Sequence, residues 1–283
     1  MAEQVTRGVF TTGHRVVEGK NGIVVGTQRV LAIDSGTDTC EGQEMVDLVH
    51  GLGRAPSYLA LTHGHGDHAY GAAAFRAASV DVLSHASCSR VIERHLSLRL
   101  ERSGRARAAV APEIAWPTIT FPDQLRLDLG GKHVRLFHTP GHSADSVCVY
   151  VEEDRVLFGG DTVVTAIVPA FGGGNSQQME ASLRRLAALE IKVLVPGHGP
   201  VIRGAPAARE WLEWMADYLS SLRRHVSASL AAGRDAAAIV EALDYDSFLG
   251  RRHQGAARQL VREELAGRYA GRSLIEGVPA NTG

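Results

Sequence analysis

The sequence predicts an α/β layered domain carrying a helical C-terminal appendage. Three observations lead there. Up to about residue 205, short apolar strand signals alternate with helical stretches, with antiparallel hairpins between them. From residue 206 to 270 the apolar spacing is helical throughout. The chain has 283 residues, 45% of them apolar and 22% charged, enough to bury a sizeable core without disulfides or a structural metal. The expected division is a main domain over 1–205 and a helical extension over 206–283 packed on it.

Each element has a local reason. Residues 22–25 and 29–34 read as a hairpin about the turn Gly26-Thr27-Gln28. Residues 45–51 form a short amphipathic helix, 58–62 a buried strand that turns abruptly polar, and 80–84 another strand. Residues 87–111 are helical and arginine-rich; Glu93 and Glu101 interleave with the arginines, which suits a solvated face better than an anion-binding lid. Residues 125–129 and 133–138 pair about Gly130-Gly131, and 147–151 and 156–158 about Glu152-Glu153-Asp154. Residues 165–178, with Gly172-Gly173-Gly174, read as a loop bordering a cleft. A helix over 179–189 leads into a strand over 192–195. The helical tail is interrupted near 231–233 and 244–250, and residues after 272 are small and polar.

Several function classes fall away. Thirty Lys and Arg face thirty-one Asp and Glu, so no net field draws the chain to nucleic acid or an anionic membrane. No stretch approaches 18 consecutive apolar residues, and residues 1–8 have no apolar signal-peptide core. Cys40, Cys88 and Cys148 are far apart and odd in number, which argues against a disulfide framework and for a reducing, cytoplasmic setting. The 13 histidines exceed what a plain globular domain needs, and they cluster.

The strand over 58–62 runs into His63-Gly64-His65-Gly66-Asp67-His68, four metal-capable side chains in six residues. Imidazole with carboxylate suits zinc, iron or manganese. His63 and His65, two apart, can face one point, and Asp67 and His68 a neighbouring one, so the spacing favours two adjacent metal positions. Three later segments repeat the order of strand, glycine turn and ligand: 137–142 brings His142, 156–161 brings Asp161, and 193–199 brings His198. Asp34, ending the 29–34 strand, is a plausible outer partner holding a ligand histidine by its far nitrogen. His85 and His138, at strand ends, read mainly as structural, and Tyr70 as packing. His14, His50, His95, His133, His225 and His253 have no supporting context and read as surface or core residues. Trp211, Trp214, Met215 and Tyr218 recur at helical spacing and read as a packing stripe.

The ordered set HxHxDH, His142, Asp161 and His198 resembles the metallo-β-lactamase-fold superfamily over roughly 22–201. The resemblance implies a four-layer αββα sandwich with the site at one edge between two sheets. It implies that His63, His65 and His142 hold a first metal, that Asp67, His68 and His198 hold a second, and that Asp161 bridges both. The cofactors implied are two divalent ions, zinc foremost, with a hydroxide between them as nucleophile and Asp67 as the catalytic carboxylate.

Within that superfamily, a bridging Asp161 argues against a true β-lactamase, and His65 against the flavo-diiron oxygen reductases. The expectation is a hydrolase of a small-molecule ester, lactone or thioester, similar to the glyoxalase-II-like and lactonase-like branches. Val164, where the lactonases commonly place a tyrosine, weakens the homoserine-lactonase assignment. Arg223, Arg224, Arg251 and Arg252 could meet the carboxylates of a glutathione thioester. The alternatives are a mononuclear-iron persulfide dioxygenase, told apart by metal content, and a phosphodiesterase of the same fold. Expected partners are a small substrate, with neither nucleic acid nor membrane; oligomeric state is open, a homodimer included.

Overall fold

The computed structural model describes residues 2–16, 18–104, 106, 114–165, 169 and 174–234. The end of the helix expected to run to residue 111, half of the 165–178 loop, and the tail with Arg251 and Arg252 lie outside the described residues.

Two sheets form the centre, each built from one contiguous stretch of chain. The first takes β1 (Glu3–Thr6), β2 (Val9–Gly13), β3 (Lys20–Val25), β4 (Val30–Ile33), β5 (Tyr58–Ala60), β6 (Asp81–His85) and β7 (Ile119–Phe121), in that spatial order. Its first four strands are antiparallel meanders, and β4 to β7 pair parallel. The second takes β8 (Gln124–Asp128), β9 (His133–His138), β10 (Val147–Val151), β11 (Val156–Phe158), β12 (Val193–Val195) and β13 (Ile202–Arg203), again neighbour to neighbour. Only β11 and β12 pair parallel in this sheet.

The period-2 alternation of strand side chains explains the layering. Leu31, Ile33, Ala60 and Leu83 of the first sheet meet Leu136, Val149, Phe158 and Val195 of the second in one inner core. Their neighbours Ala32, Leu59 and Val82 face outward, under α1 (Thr39–Gly51), α3 (Ala72–Ala77) and α4 (Cys88–Ser103). Cys148, Tyr150, Leu157 and Leu194 face outward on the other side, under α5 (Ser176–Ala187) and α6 (Ala205–Ala231). The architecture is therefore the four-layer αββα sandwich, with α2 (Gly66–Ala69) at the edge between the sheets.

The structure extends several expectations. Helix α1 starts at Thr39 rather than residue 45, because the Asp38 side chain caps it by accepting from the Glu41 N–H at 3.0 Å. Asn175 does the same for α5, accepting from Gln177 and Gln178. Helix α4 ends at Gly104, which takes φ 63°, a left-handed conformation suited to glycine. The break expected near 231–233 is where α6 ends. Strands β1, β2, β7 and β13 were not anticipated; β1 and β2 are threonine-bearing and polar, and β13 has two residues.

Helix α1 lies on the chain before α3 almost backbone to backbone. A Cβ on Gly42 would come within 2.0 Å of the Gly71 carbonyl oxygen. Gly42→Ala is thus expected to cost about 1–3 kcal/mol by overpacking, read as a lower urea midpoint at unchanged m-value.

Candidate metal centre

Four connections bring the seven expected residues together at one edge of the sandwich. His63, His65, Asp67 and His68 lie on the loop and short helix that follow β5. His142 follows β9, Asp161 sits in a 3-10 turn (Gly160–Thr162) after β11, and His198 follows β12. All are buried except Asp67, whose side chain is 25% exposed. Asp67 is thus the member of the set most open to solvent.

The donor atoms form two groups, each with its ligand-type atoms within 4.8 Å of one another. One is His63, His65, His142 and Asp161; the other is Asp67, His68, His198 and His14. Asp161 faces both. Its Oδ2 lies 3.5 Å from His142 Nε2 and 3.9 Å from His63 Nε2. Its Oδ1 lies 3.3 Å from His68 Nε2 and 3.4 Å from His198 Nε2. Asp67 Oδ2 lies 3.4 Å from His198 Nε2 and 3.7 Å from His68 Nε2.

The residues fit metal on their own chemistry. His63 Nε2, His65 Nε2, His68 Nε2 and Asp161 Oδ1 are buried, and no hydrogen-bond partner meets them. Buried polar atoms are ordinarily paired, and orphans facing into each of the two groups suit a cation in each.

Outer contacts set the orientation of the rings. Asp34, at the end of β4, takes φ 58° and turns its carboxylate under the loop. Its Oδ1 accepts from the Thr62 N–H at 2.7 Å, and its Oδ2 accepts from the Thr62 hydroxyl at 2.7 Å. Oδ2 also meets His68 Nδ1 at 2.9 Å, so in the neutral ring Nδ1 carries the proton and the Nε2 lone pair faces inward. Asp145 Oδ2 accepts from the Gly64 N–H at 2.7 Å, tying the histidine loop to the second sheet.

Charge is shared unequally across the cluster. Burial wins at His63 and His65 and holds both well below the ordinary imidazole value. At His68 burial loses to Asp161, Asp67 and Asp34, and the ring is raised well above that value. At His198 burial is likewise outweighed by Asp161 and Asp67, which push it up to about 10. Asp161, against burial, is held well below the usual carboxylate range by His198, His68 and His142. Asp67, against burial, is lowered by His68 and His198.

Other histidines divide. His85 bonds through Nδ1 to Ser87 Oγ at 2.8 Å and through Nε2 to the Pro122 carbonyl at 2.7 Å, and it stacks on His138 with ring centres 3.9 Å apart. His14 and His95, expected as surface or core residues, stand beside the cluster instead. His95 lies 4.0 Å from His65, ring centre to ring centre. His14 is edge-on to His68 and His198 at 5.5 Å. Burial, with His68 and His198, lowers His14 to about 4. Neither has a local motif; His14 sits on the β2–β3 turn, and only the fold brings that turn against the His198 loop. Tyr70 packs under the Arg99 guanidinium, 4.9 Å from the ring centre. Trp211 donates its indole N–H to the Val164 carbonyl at 3.0 Å, in keeping with packing. Arg223 is tied to α5 through the Ser176 carbonyl and Glu180, and Arg224 to Ser220 and Ser221.

Comparison with known proteins gives the same picture. Residues 16–198 match the family described as the Metallo-beta-lactamase superfamily. The chain is 30% identical over 216 residues to the atrochrysone carboxyl ACP thioesterase of Aspergillus fumigatus, covering 71% of this chain and 44% of that protein. It is 27% identical over 215 residues to the acyl-coenzyme A thioesterase MBLAC2 of Gallus gallus, covering 68% and 77%. The chain spans about half the length of the first curated relatives it matches. In fold it is similar to a metallo-beta-lactamase from Pontibacter korlensis, with TM-score 0.62 and 19% identity over 77% of this chain and 98% of that one.

Two expectations follow from the cluster. Asp34→Ala would strand the Thr62 N–H and the His68 ring proton in the core; it should destabilise by about 3–5 kcal/mol, read by urea unfolding. His68 and His198 must also lose protons before their nitrogens can ligate, so metal uptake near pH 7 should release protons. Affinity should therefore rise with pH through the neutral and mildly alkaline range, since both rings are held above their ordinary value. Calorimetry in buffers of different ionisation enthalpy checks this, and a heat independent of buffer would contradict it.

Proposed function

Because the chain belongs to the metallo-beta-lactamase superfamily, we propose that it is a metal-dependent hydrolase of thioesters, with a dinuclear centre of zinc. The observation that carries this reading is Asp161, whose two oxygens face two separate histidine groups 3.3 to 3.9 Å away. In this reading His63, His65 and His142 would hold one ion, Asp67, His68 and His198 would hold the other, and Asp161 would serve both. The donor set of imidazoles and carboxylates with no thiolate suits zinc, iron or manganese, and zinc needs no redox partner. The thioester class is supported by relatives named as ACP and acyl-coenzyme A thioesterases.

Bound divalent ions supply an acidified water and an electrophile for the acyl oxygen. The chain's residues do the rest. Asp34 and Asp145 hold the histidine loop rigid, so that its donors converge without reorganisation. Asp67, the most exposed member, can orient an attacking water and accept its proton through its carboxylate. The buried walls, with side chains of His63, His68, His142 and Asp161 all under 10% exposed, keep bulk water from the reacting carbonyl.

Elemental analysis with a panel of acyl-coenzyme A thioesters, oxygen esters and lactones tests the reading. About two zinc ions per chain and a preference for thioesters are expected. Asp67→Ala should lower kcat roughly 10²–10⁴-fold. One iron per chain with no thioester turnover would sink the proposal.

A further inference from the structure

His14 is held as firmly as the seven residues around it, yet nothing in the hydrolytic scheme uses it. The β2–β3 turn delivers it: His14 N–H bonds to the Gly19 carbonyl at 3.0 Å, and Gly19 N–H to the Val16 carbonyl at 2.9 Å. The turn is clamped to the His198 loop by Lys20 N–H to Gly197 O at 2.8 Å and Gly199 N–H to Glu18 O at 3.0 Å. The imidazole lies flat on Gly19. A Cβ there would come within 1.7 Å of the ring, so position 19 admits only glycine while the ring keeps its place.

The two ring nitrogens face different surroundings. The Val16 backbone N–H points at Nδ1 from 3.3 Å, which makes Nδ1 the acceptor and leaves the proton of the neutral ring on Nε2. Nε2 is buried and has no hydrogen-bond partner, and the ring stands edge-on to His68 and His198 at 5.5 Å, with one of its nitrogens within 4.8 Å of donor atoms of Asp67, His68 and His198. A nitrogen that bears a proton has no lone pair for a metal, but it is a donor aimed at whatever oxygen occupies that side.

We propose that His14 is a further catalytic residue, a neutral hydrogen-bond donor whose Nε2–H meets the acyl oxygen of the substrate on the Asp67 side of the centre. No proton is transferred; the N–H bond persists while negative charge gathers on the oxygen, and the contact strengthens as it does. This assignment rests on the thioesterase reading for its substrate. Its ring chemistry does not.

The test uses full-length protein labelled with ¹⁵N-histidine and loaded with two equivalents of zinc. Long-range proton–nitrogen spectra should show His14 protonated at Nε2 and bare at Nδ1. His14→Phe should keep the wild-type zinc stoichiometry and affinity while kcat on an acyl-coenzyme A thioester falls roughly 10²–10³-fold, with KM little changed. His14→Gln, whose amide N–H can still donate, should recover at least about tenfold of that loss. A proton on Nδ1 with zinc on Nε2, or one zinc lost from His14→Phe, would make His14 a ligand and overturn the proposal. Wild-type kcat in His14→Phe would reduce the ring to packing. Should that variant not fold, the wild-type spectrum decides. Failure of the thioesterase reading would look different: correct tautomer, full zinc content and no thioester turnover in the wild type.

Discussion

Three hydrogen bonds converge on one buried carboxylate, and the functional edge of the molecule hangs from them. Asp34 ends β4 in a left-handed conformation, and its two oxygens take the Thr62 N–H, the Thr62 hydroxyl and the far nitrogen of His68. The anchor fixes where β5 stops and where the histidine loop starts. It also decides which face of His68 looks inward. A buried carboxylate with three partners has its desolvation cost offset; with fewer it would be a liability. The strain of the left-handed residue is thus sustained by the bonds that it makes possible.

The second constraint is that the two sheets must meet. Four of the seven expected donors come from the first half of the chain and three from the second. The bonds from Gly64 to Asp145 and from Val147 N–H to the Thr62 carbonyl cross the seam beside them. The β2–β3 turn crosses it as well, through the Gly19 to His198 bridge. Asp161 lies on this seam, which is why one carboxylate can address both histidine groups.

The central strands and the donor set were legible because their signals are local. A short apolar run before a glycine turn carries its own meaning at 58–68, 137–142, 156–161 and 193–199. The αββα layering came from resemblance, since alternation alone fixes neither strand order nor which sheet a strand joins. Helix α1 was found late because Asp38 and Glu41, which start it, precede any apolar periodicity. Strands β1 and β2 escaped because their polar residues mask the alternation. His14 escaped for a different reason: its context is made by the distant loops that carry His68 and His198, and the trace it leaves nearby is a glycine five residues later. Which metal and which substrate are not written in such patterns, because a set of imidazoles and carboxylates serves several ions and one fold serves many substrates.

Each sheet is woven from its own half of the chain, and neither half holds a full set of donors. A complete ion-binding geometry therefore exists only once both halves have docked. Any ion held there would bind the native state and not the unfolded one, and by mass action would deepen the native well in proportion to the logarithm of its free concentration. The chain's survival against proteolysis would then follow the ion supply around it, making the centre a gauge of the metal in its surroundings.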